Sequence, residues 1–222
     1  IMLNKVKIAI DAMGGENSPR KIIEGIEISL MSNKENFFYL YGDENLLKKE
    51  VSKNKLLIQH CEIINSKDII LDTESPLNAA KRGKHSSMWM AIESLRENKT
   101  HVSLSAGNTG ALLVISRLLL NTIDGINKPA LAALWPNKNN MNVVLDLGAN
   151  IECSEKNLSD FAFMGSALFK SLFENNRPRI ALLNIGMEEH KGSDILKKTY
   201  FMLKNNKIND FEFCGYIEGN HI

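Results

Sequence analysis

The sequence has little of what marks disulfide-rich, membrane-spanning or secreted proteins. It has three cysteines among 222 residues, Cys61, Cys153 and Cys214, which lie far apart and form no CxxC pair. A disulfide framework or a zinc site is therefore not expected, and thiols in a reducing cytosol are the default. No apolar run approaches the length of a transmembrane helix, and the first residues are too interrupted for a signal peptide. We expect a cytoplasmic protein.

An excess of charge of either sign is also missing. Lys and Arg number 27 against 26 Asp and Glu, which gives a net charge of +1. This balance provides no broad basic surface, so we expect no nucleic-acid partner. The hydrophobic share of 44% and the charged share of 24% are ordinary for a globular chain long enough to bury a substantial core. Any anion site must therefore come from the local placement of a few groups.

The usual cofactor and nucleophile signatures are absent as well. The first predicted strand is not followed by GxGxxG, and the chain has no P-loop, no GxSxG elbow and no HExxH motif. The five histidines show no metal-ligand spacing. We therefore predict no cofactor and no metal ion. What remains are backbone N–H groups, amides, hydroxyls and basic side chains, which bind and orient anions such as phosphate.

Predicted strands and helices alternate along the whole chain, as judged from apolar periodicity. The predicted strands are Val6–Ile10, Phe37–Tyr41, Leu56–Ile58, Glu62–Ile64, His101–Leu104, Ala130–Leu134, Met141–Leu145, Arg179–Leu183 and Phe211–Ile217. The predicted helices are Arg20–Met31, Leu46–Val51, one that begins near Pro76, Met88–Arg96, Ala111–Leu120, Leu158–Phe173 and Ser193–Lys204. This alternation predicts an α/β protein with a mostly parallel sheet that is covered on both faces.

The stretch Ser105–Gly110 carries the central local signal. It reads Ser-Ala-Gly-Asn-Thr-Gly between a predicted strand and a predicted helix, and Asn108 or Thr109 is placed to cap the helix. A strand, a glycine-rich turn and a helix N-terminus together present free N–H groups and the helix dipole to an anion. Gly107 and Gly110 would allow a sharp turn and a close approach of ligand to backbone. The alternative is that these glycines serve the turn alone.

Three further polar or glycine-bearing loops follow predicted strands. They are Asp11–Gly15, with Gly14 and Gly15, Asp146–Asn150, with Gly148, and Asn184–Gly186. Ligands of parallel sheets bind beyond the carboxyl ends of the strands. We therefore predict that these loops and Ser105–Gly110 line one shared cleft.

A basic run lies near the predicted helix that begins at Pro76. Lys81 and Lys84 are three residues apart, and Lys81 and His85 are four apart, so on one helix they would share a face. Ser86 and Ser87 follow and lead into the next helix. The alternative to an anion-binding role is a solvated basic face.

Taken together and in chain order, these motifs resemble a known family, the bacterial phosphate acyltransferases of phospholipid synthesis (the PlsX family). The resemblance rests on Ile8-Ala9-Ile10-Asp11-Ala12-Met13-Gly14-Gly15, Lys81-Arg82 with Ser86-Ser87-Met88, Ser105-Ala106-Gly107-Asn108-Thr109-Gly110-Ala111-Leu112, Asp146-Leu147-Gly148-Ala149-Asn150, Phe161-Ala162-Phe163-Met164-Gly165-Ser166, and Ala181-Leu182-Leu183-Asn184-Ile185-Gly186 with Glu188-Glu189 and Lys191-Gly192. Each motif alone is weak, but their combination over nearly the whole chain is specific.

The resemblance implies a reaction in which an acylated acyl carrier protein and inorganic phosphate give acyl phosphate and free carrier. It implies a three-layer α/β/α fold related to isopropylmalate dehydrogenases and phosphotransacetylases. It also implies a homodimer in the cytoplasm that works at the inner face of the membrane, with no metal or organic cofactor. Family members continue past Ile222, so we expect residues 1–222 to be a single domain that is truncated at its C-terminus and lacks part of the active site.

Candidate roles follow from the resemblance and from residue chemistry. Phosphate would be cradled by Ser105, Ala106, Gly107, Asn108, Thr109 and Gly110. Lys81 and Arg82 would neutralise phosphate or the carrier's phosphopantetheine, while Asn150 and Asn184 would orient the thioester carbonyl or its developing oxyanion. Asn108 is a further candidate catalytic residue. Asp11, Gly14, Gly15, Ser86, Ser87, Asp146, Gly148 and Gly186 would line the cleft, the two aspartates fixing loop geometry. Where the family commonly has Arg, this chain has Lys81, which cannot make the bidentate hydrogen bonds of a guanidinium group. Glu16 stands where the family usually has Asp.

Two alternatives stay open. One is a decarboxylating dehydrogenase of the related fold, which would need a nicotinamide site and a metal held by clustered aspartates. The other is a non-catalytic fragment that binds carrier protein.

Overall fold

The computed structural model describes residues 5–138, 140–148, 150–174, 176–206 and 210–221. Within these ranges the strands are β1 Lys7–Asp11, β2 Phe37–Gly42, β3 Cys61–Asn65, β4 Val102–Ser105, β5 Ala132–Pro136, β6 Met141–Leu145, β7 Arg179–Leu183 and β8 Glu212–Ile217. The α-helices are α1 Arg20–Ser32, α2 Glu44–Val51, α3 Lys55–His60, α4 Pro76–Arg82, α5 Ser87–Arg96, α6 Thr109–Leu119, α7 Glu155–Leu172 and α8 Asp194–Lys204. The chain forms two compact units, Ile1–Asn121 and Thr122–Ile222.

The first unit is built on a four-stranded parallel sheet with the strand order β3-β2-β1-β4. From β1 the chain proceeds outward to β2 and β3 on one side, and β4 then lies on the opposite side of β1. The winding direction therefore reverses between β1 and β4. In open α/β sheets this reversal leaves a crevice beyond the carboxyl ends of the two strands, where ligands bind.

Both faces of this sheet are covered by helices. One face buries Ile8, Ile10, Phe38 and Leu40 against apolar side chains of α1, α2 and α3. On the other face, α5 packs on β1 and β2, and Ala91 is buried with Ala9 and Tyr41. A second cluster of apolar side chains joins α4, α5 and α6: Ala79, Ala80, Met88, Trp89, Ile92, Ala111, Ile115 and Leu119. The helix N-termini that follow the strands are thus held rigidly at one edge of the sheet.

Polar side chains start most of these helices by accepting a backbone N–H. Asp43 accepts from Leu46, Asn54 from Leu56, Ser75 from Asn78, Ser86 from Trp89 and Asn108 from Ala111. Such caps satisfy one of the amides that a helix start leaves without a partner.

The second unit contains two small sheets with two helices. Strands β5 and β6 form an antiparallel pair, and β7 and β8 form a parallel pair. Helices α7 and α8 pack together and bury Ala162, Leu182, Leu203, Phe211 and Tyr216. A capping box of Ser154 and Asn157 starts α7.

The predicted α/β class with a mostly parallel sheet is confirmed, and two local predictions are wrong. Leu56–Ile58 is not a strand, because Asn54 caps a helix over this stretch and Leu57 is fully buried by packing of α3 on α1. Lys84 and His85 do not share a helix with Lys81, because α4 ends at Arg82 and a single 3-10 turn follows. No helix of the described residues is long and apolar enough to cross a membrane.

Candidate anion-binding site

The loops after β1 and β4 meet at the reversal point of the first unit's sheet. Asp11, the last residue of β1, pairs in register with Ser105, the last residue of β4. The two residues are 94 positions apart in sequence, and the parallel sheet alone brings them together. The structure therefore joins two of the four loops that the sequence singled out.

A short hydrogen-bond chain links the two loops. Ser105 Oγ donates to Asp11 Oδ2 at 2.7 Å, and the Gly107 amide donates to Ser105 Oγ at 3.1 Å. The other carboxylate oxygen of Asp11 accepts the Met13 amide at 3.3 Å. Asp11 is only 2% exposed, so its charge is held inside the protein by these donors.

Glycines allow the two loops to pack backbone against backbone. A Cβ on Gly14 would lie 2.5 Å from Asp11 Oδ2 and 2.9 Å from the Gly107 nitrogen. A Cβ on Gly15, whose φ is +86°, would lie 2.6 Å from the carbonyl oxygen of Ala106. Any side chain at these positions would wedge the loops apart. Gly14 and Gly15 are therefore needed for close packing at this edge.

Helix α6 begins directly after this contact and presents free amides. Asn108 Oδ1 caps the Ala111 amide at 2.9 Å, and the carbonyl of Asn108 accepts the Leu112 amide. The amides of Thr109 and Gly110, the first two of α6, have no acceptor among the described residues. With the partial positive charge of the helix N-terminus, these amides are chemically suited to bind an anion such as phosphate.

The side chain of Asn108 also holds a neighbouring segment in place. Its Nδ2 lies 2.8 Å from the Glu74 carbonyl, 3.2 Å from that of Asp72 and 3.3 Å from that of Leu71. Beside it, a Cβ on Gly110 would come within 2.6 Å of Pro76, the first residue of α4. Asn108 thus ties the segment before α4 to the start of α6.

The two predicted basic residues lie at the other end of α4. Lys81 is exposed and makes no ion pair with the described residues. Arg82 Nε donates to Glu74 Oε1 at 2.5 Å, and Arg82 Nη2 contacts the same carboxylate and the Ile69 carbonyl. The hydrogen bond from Arg82 holds the pKa of Glu74 below its ordinary value. Of the two residues, Lys81 has the charge that a ligand could use without breaking an ion pair.

Ser86 and Ser87 lie buried at the start of α5. Ser86 Oγ accepts the Trp89 amide and donates to the Gly83 carbonyl, so it is a structural cap. Ser87 is 1% exposed, and its Oγ has no partner among the described residues. The side chain of Met88, which was not among the candidate site residues, reaches within 3.5 Å of the place where a Cβ on Gly107 would lie.

In the second unit, the loop after β6 is closed by its own side chains; Ala149 lies outside the described residues. Asp146, with φ +64°, accepts from the Asn150 amide at 3.2 Å and from Asn150 Nδ2 at 2.8 Å. Asn150 Nδ2 also donates to the Pro129 carbonyl at 3.0 Å. Both side-chain hydrogens of Asn150 are therefore used within the unit. Gly148, with φ +78°, has open space at its Cβ position.

The loop after β7 is closed in a similar way. Asn184 Nδ2 donates to the carbonyls of Gly186 and Lys191 at 3.1 and 3.2 Å. Asn184 is 8% exposed, and its Oδ1 has no partner among the described residues. Gly192, at φ +87°, packs so closely on Asn184 that any side chain there would collide with the amide. Gly192 belongs to a motif that carries the resemblance, but it was not among the candidate site residues.

Two of the thiols are poorly suited to act as nucleophiles. Burial raises the pKa of Cys61 from its ordinary 9.0 to about 12. Burial, and the hydrogen bond that its thiol donates to Asp146 at 3.2 Å, raise the pKa of Cys153. Since the thiolate is the reactive form, neither thiol is activated. Within the described residues no three His, Cys, Asp or Glu side chains are grouped to hold a metal ion.

The fold and this edge of the sheet define an α/β protein with a candidate anion site at a helix start, where the strand order reverses. The chain belongs to the fatty acid synthesis protein family, whose model matches residues 6–222. It is 56% identical over 217 residues to the phosphate acyltransferase of Pelagibacter ubique and 39% identical over 222 residues to that of Afipia carboxidovorans. These alignments cover 98% and 100% of this chain. The resemblance read from the motifs is thereby confirmed.

Solved structures agree on the fold. The EutD phosphotransacetylase from Staphylococcus aureus matches with a TM-score of 0.66 and 16% identity, over 96% of this chain and 69% of that protein. At this identity the likeness supports the fold alone. The chain spans just under two thirds of its curated relatives, 65% of the Pelagibacter and 63% of the Afipia protein.

Proposed function

We propose that the protein transfers a fatty acyl group from acyl carrier protein to inorganic phosphate, giving acyl phosphate for phospholipid synthesis. The observation that carries the proposal is the pair of free amides of Thr109 and Gly110, which lie at the start of α6, where the strand order reverses. The names of the relatives, phosphate acyltransferases, support the same reaction.

The chemistry needs positioning rather than a covalent nucleophile. Phosphate is already an anion, and one of its oxygens attacks the carbonyl carbon of the thioester. The new C–O bond stays and the C–S bond breaks. The carrier then leaves as a thiolate, which takes a proton from water. A site that holds the phosphate and aims its oxygen supplies most of what this step requires.

Among the predicted site residues, Lys81 is the one we assign to phosphate or to the carrier's phosphopantetheine, because it is exposed and unpaired among the described residues. Arg82 could take this role only by leaving Glu74. A role of Asn150 and Asn184 at the thioester stays a prediction. Their contacts favour loop closure, since an oxyanion needs donors and both Nδ2 groups already donate within their own loops.

Several properties of the protein stay predictions from the sequence and the resemblance. These are a single domain over residues 1–222, a shared cleft for all four loops, a homodimer, a cytoplasmic location and contact with the inner face of the membrane. The described residues include large exposed apolar side chains, for example Leu118, Ile123 and Ile185, which a second subunit or a membrane surface would cover.

The test is turnover by the full-length natural chain. Long-chain acyl carrier protein and phosphate should give acyl phosphate, trapped by hydroxylamine, and no product should form when phosphate is omitted. Binding of the carrier without any acyl phosphate would favour the non-catalytic alternative. Reduction of NAD in the presence of magnesium or manganese would favour the dehydrogenase.

A further inference from the structure

We propose that Asp11 and Ser105 are positioning residues that set the shape of the anion loop, and that neither Ser105 nor the Gly107 amide contacts the phosphate. The inference rests on the proposed function for its substrate, inorganic phosphate. It departs from the expectation that every residue of Ser105–Gly110 cradles the ligand, and it leaves the amides of Thr109 and Gly110 as the phosphate donors.

The hydroxyl hydrogen of Ser105 already has an acceptor inside the protein. A serine hydroxyl has one hydrogen to donate. In Ser105 this hydrogen is directed to Asp11 Oδ2 at 2.7 Å, and the Gly107 amide occupies a lone pair of the same oxygen at 3.1 Å. Phosphate is held mainly by hydrogen bonds that it accepts from the protein. Ser105 and Gly107 have no hydrogen left to donate to phosphate while this chain of bonds is intact.

Asp11 suits its place because a carboxylate only accepts. Its two oxygens receive two donors from opposite sides, the Ser105 hydroxyl and the Met13 amide. An asparagine would have one oxygen and one NH₂ group. With the oxygen towards Ser105, the NH₂ group would face the Met13 amide, donor against donor. With the NH₂ group towards Ser105, the hydroxyl would have to turn and accept, and it would lose its fixed direction. The charge of Asp11 fixes the direction of the Ser105 hydroxyl, and the hydroxyl in turn fixes the Gly107 peptide.

The position of Gly107 decides where α6 begins. Two residues after Gly107, the first free amide of the helix appears at Thr109, and Asn108 between them caps the helix. A rotated Gly107 peptide would move the cap and the free amides together. Asp11 thus acts on phosphate through Ser105, Gly107 and the direction of the helix start.

Two variants with opposite expectations test the inference in the full-length natural chain. Asp11→Asn should raise the KM for phosphate about tenfold with a smaller change in kcat, because it breaks one link of the chain. If Asp11 acted only by repelling the anion, the same variant would lower this KM. A lowered or unchanged KM would overturn the inference.

Ser105→Ala should raise the KM for phosphate by a similar factor, and Ser105→Thr, which keeps the hydroxyl, should restore most of the loss. The double variant Asp11→Asn with Ser105→Ala should be no worse than either single variant, because both interrupt one chain of bonds. Effects that multiply would mean that the two residues act separately, and would overturn the inference. Asp43→Asn is the matched control: Asp43 follows β2 at the same edge, caps α2, and asparagine caps equally well.

A readout that is independent of turnover separates this inference from the proposed function. Inorganic phosphate is titrated into the protein while backbone amides are followed by NMR. The resonances of Thr109 and Gly110 should shift most, and hydrogen exchange at Gly107 should be slow in the parent, fast in Ser105→Ala and slow again in Ser105→Thr. If phosphate binds in this way but no acyl phosphate forms, the proposed function fails and the positioning role stands. If acyl phosphate forms but the Gly107 amide is the one that responds to phosphate, the positioning role fails and the function stands.

Discussion

At the scale of single residues, Gly14 is a position that leaves no room for a side chain. A Cβ there would lie 2.5 Å from Asp11 Oδ2, 2.9 Å from the Gly107 nitrogen and 3.0 Å from Ser105 Oγ. None of these atoms can move without breaking the bonds that join the two loops. We expect Gly14→Ala to lower the free energy of unfolding by about 1–3 kcal/mol, as overpacking does in a filled interior. Urea unfolding at neutral pH measures this change.

The matched control is Gly25→Ala in α1. Gly25 is exposed, and its added Cβ would meet no atom within 4 Å. Alanine in a helix interior is favoured over glycine by about 1 kcal/mol. The two substitutions are chemically identical, and they should change stability in opposite directions. Equal stabilisation by both would show that the two loops do not pack as closely as Gly14 requires.

The same residues show what the sequence could and could not predict. The sequence marked Asp11, Gly14, Ser105 and Gly107 as residues of ligand-bearing loops, because strand ends and glycines are local signals. It did not show that the hydroxyl of Ser105 donates its hydrogen bond to Asp11. That depends on a strand register between residues 94 positions apart, which no local pattern contains.

At the scale of elements, Asn108 caps one helix and also holds a neighbouring loop. The hydrogen bonds from its Nδ2 to this loop are called the clamp below. Its Oδ1 caps α6, while its Nδ2 donates to carbonyls of the segment Leu71–Glu74. Asn108→Asp keeps the cap, since aspartate caps as well as asparagine, but sets a carboxylate against those carbonyls. We expect a loss of about 1–3 kcal/mol in unfolding free energy, the cost of leaving such acceptors without donors. Limited proteolysis should also cut the segment faster.

Ser193→Asp controls for the cap. Ser193 accepts the Leu196 amide at the start of α8, and the described contacts of its side chain include no clamp. This variant should keep the stability and protease resistance of the parent. If Asn108→Asp behaves in the same way, the clamp contributes nothing measurable and Asn108 is a helix cap alone.

Other elements differed from their sequence predictions for identifiable reasons. The run Leu56–Ile58 is short and apolar, and such runs do not separate strands from helices by periodicity. The capping asparagine at position 54 was the signal that favours the helix α3. The antiparallel pairing of β5 with β6 also had a signal. The polar link from residue 137 to residue 140 is far too short for the crossover that parallel strands require.

At the scale of the whole molecule, alternation of strands and helices was enough to predict an α/β protein, but the strand order was not readable. The order β3-β2-β1-β4 places β4 beside β1 rather than beside β3. This choice sets the reversal point and hence the candidate site. It follows from packing of α5 on β1, β2 and β4 and of α6 on α4 and α5, which is a property of the folded chain and not of any one segment.

The last prediction concerns which parts of the chain respond to each substrate. The proposed phosphate donors, Thr109 and Gly110, lie in the first unit, whereas the Asp146 and Asn184 loops lie in the second. Hydrogen exchange followed by mass spectrometry should therefore show phosphate protecting peptides that cover residues 105–112. When the phosphate concentration is about 100 times the Kd, amides that exchange only after phosphate has left should exchange about 100-fold more slowly. Phosphate should not change the exchange rates of peptides from the second-unit loops. Chloride at equal ionic strength, without sulfate, should protect neither residues 105–112 nor the second-unit loops.

Acylated carrier protein, added without phosphate, should instead protect the Asp146 and Asn184 loops if these act at the thioester. Protection of the second-unit loops by phosphate alone, with no change at 105–112, would place the anion away from α6 and contradict the assignment of Thr109 and Gly110.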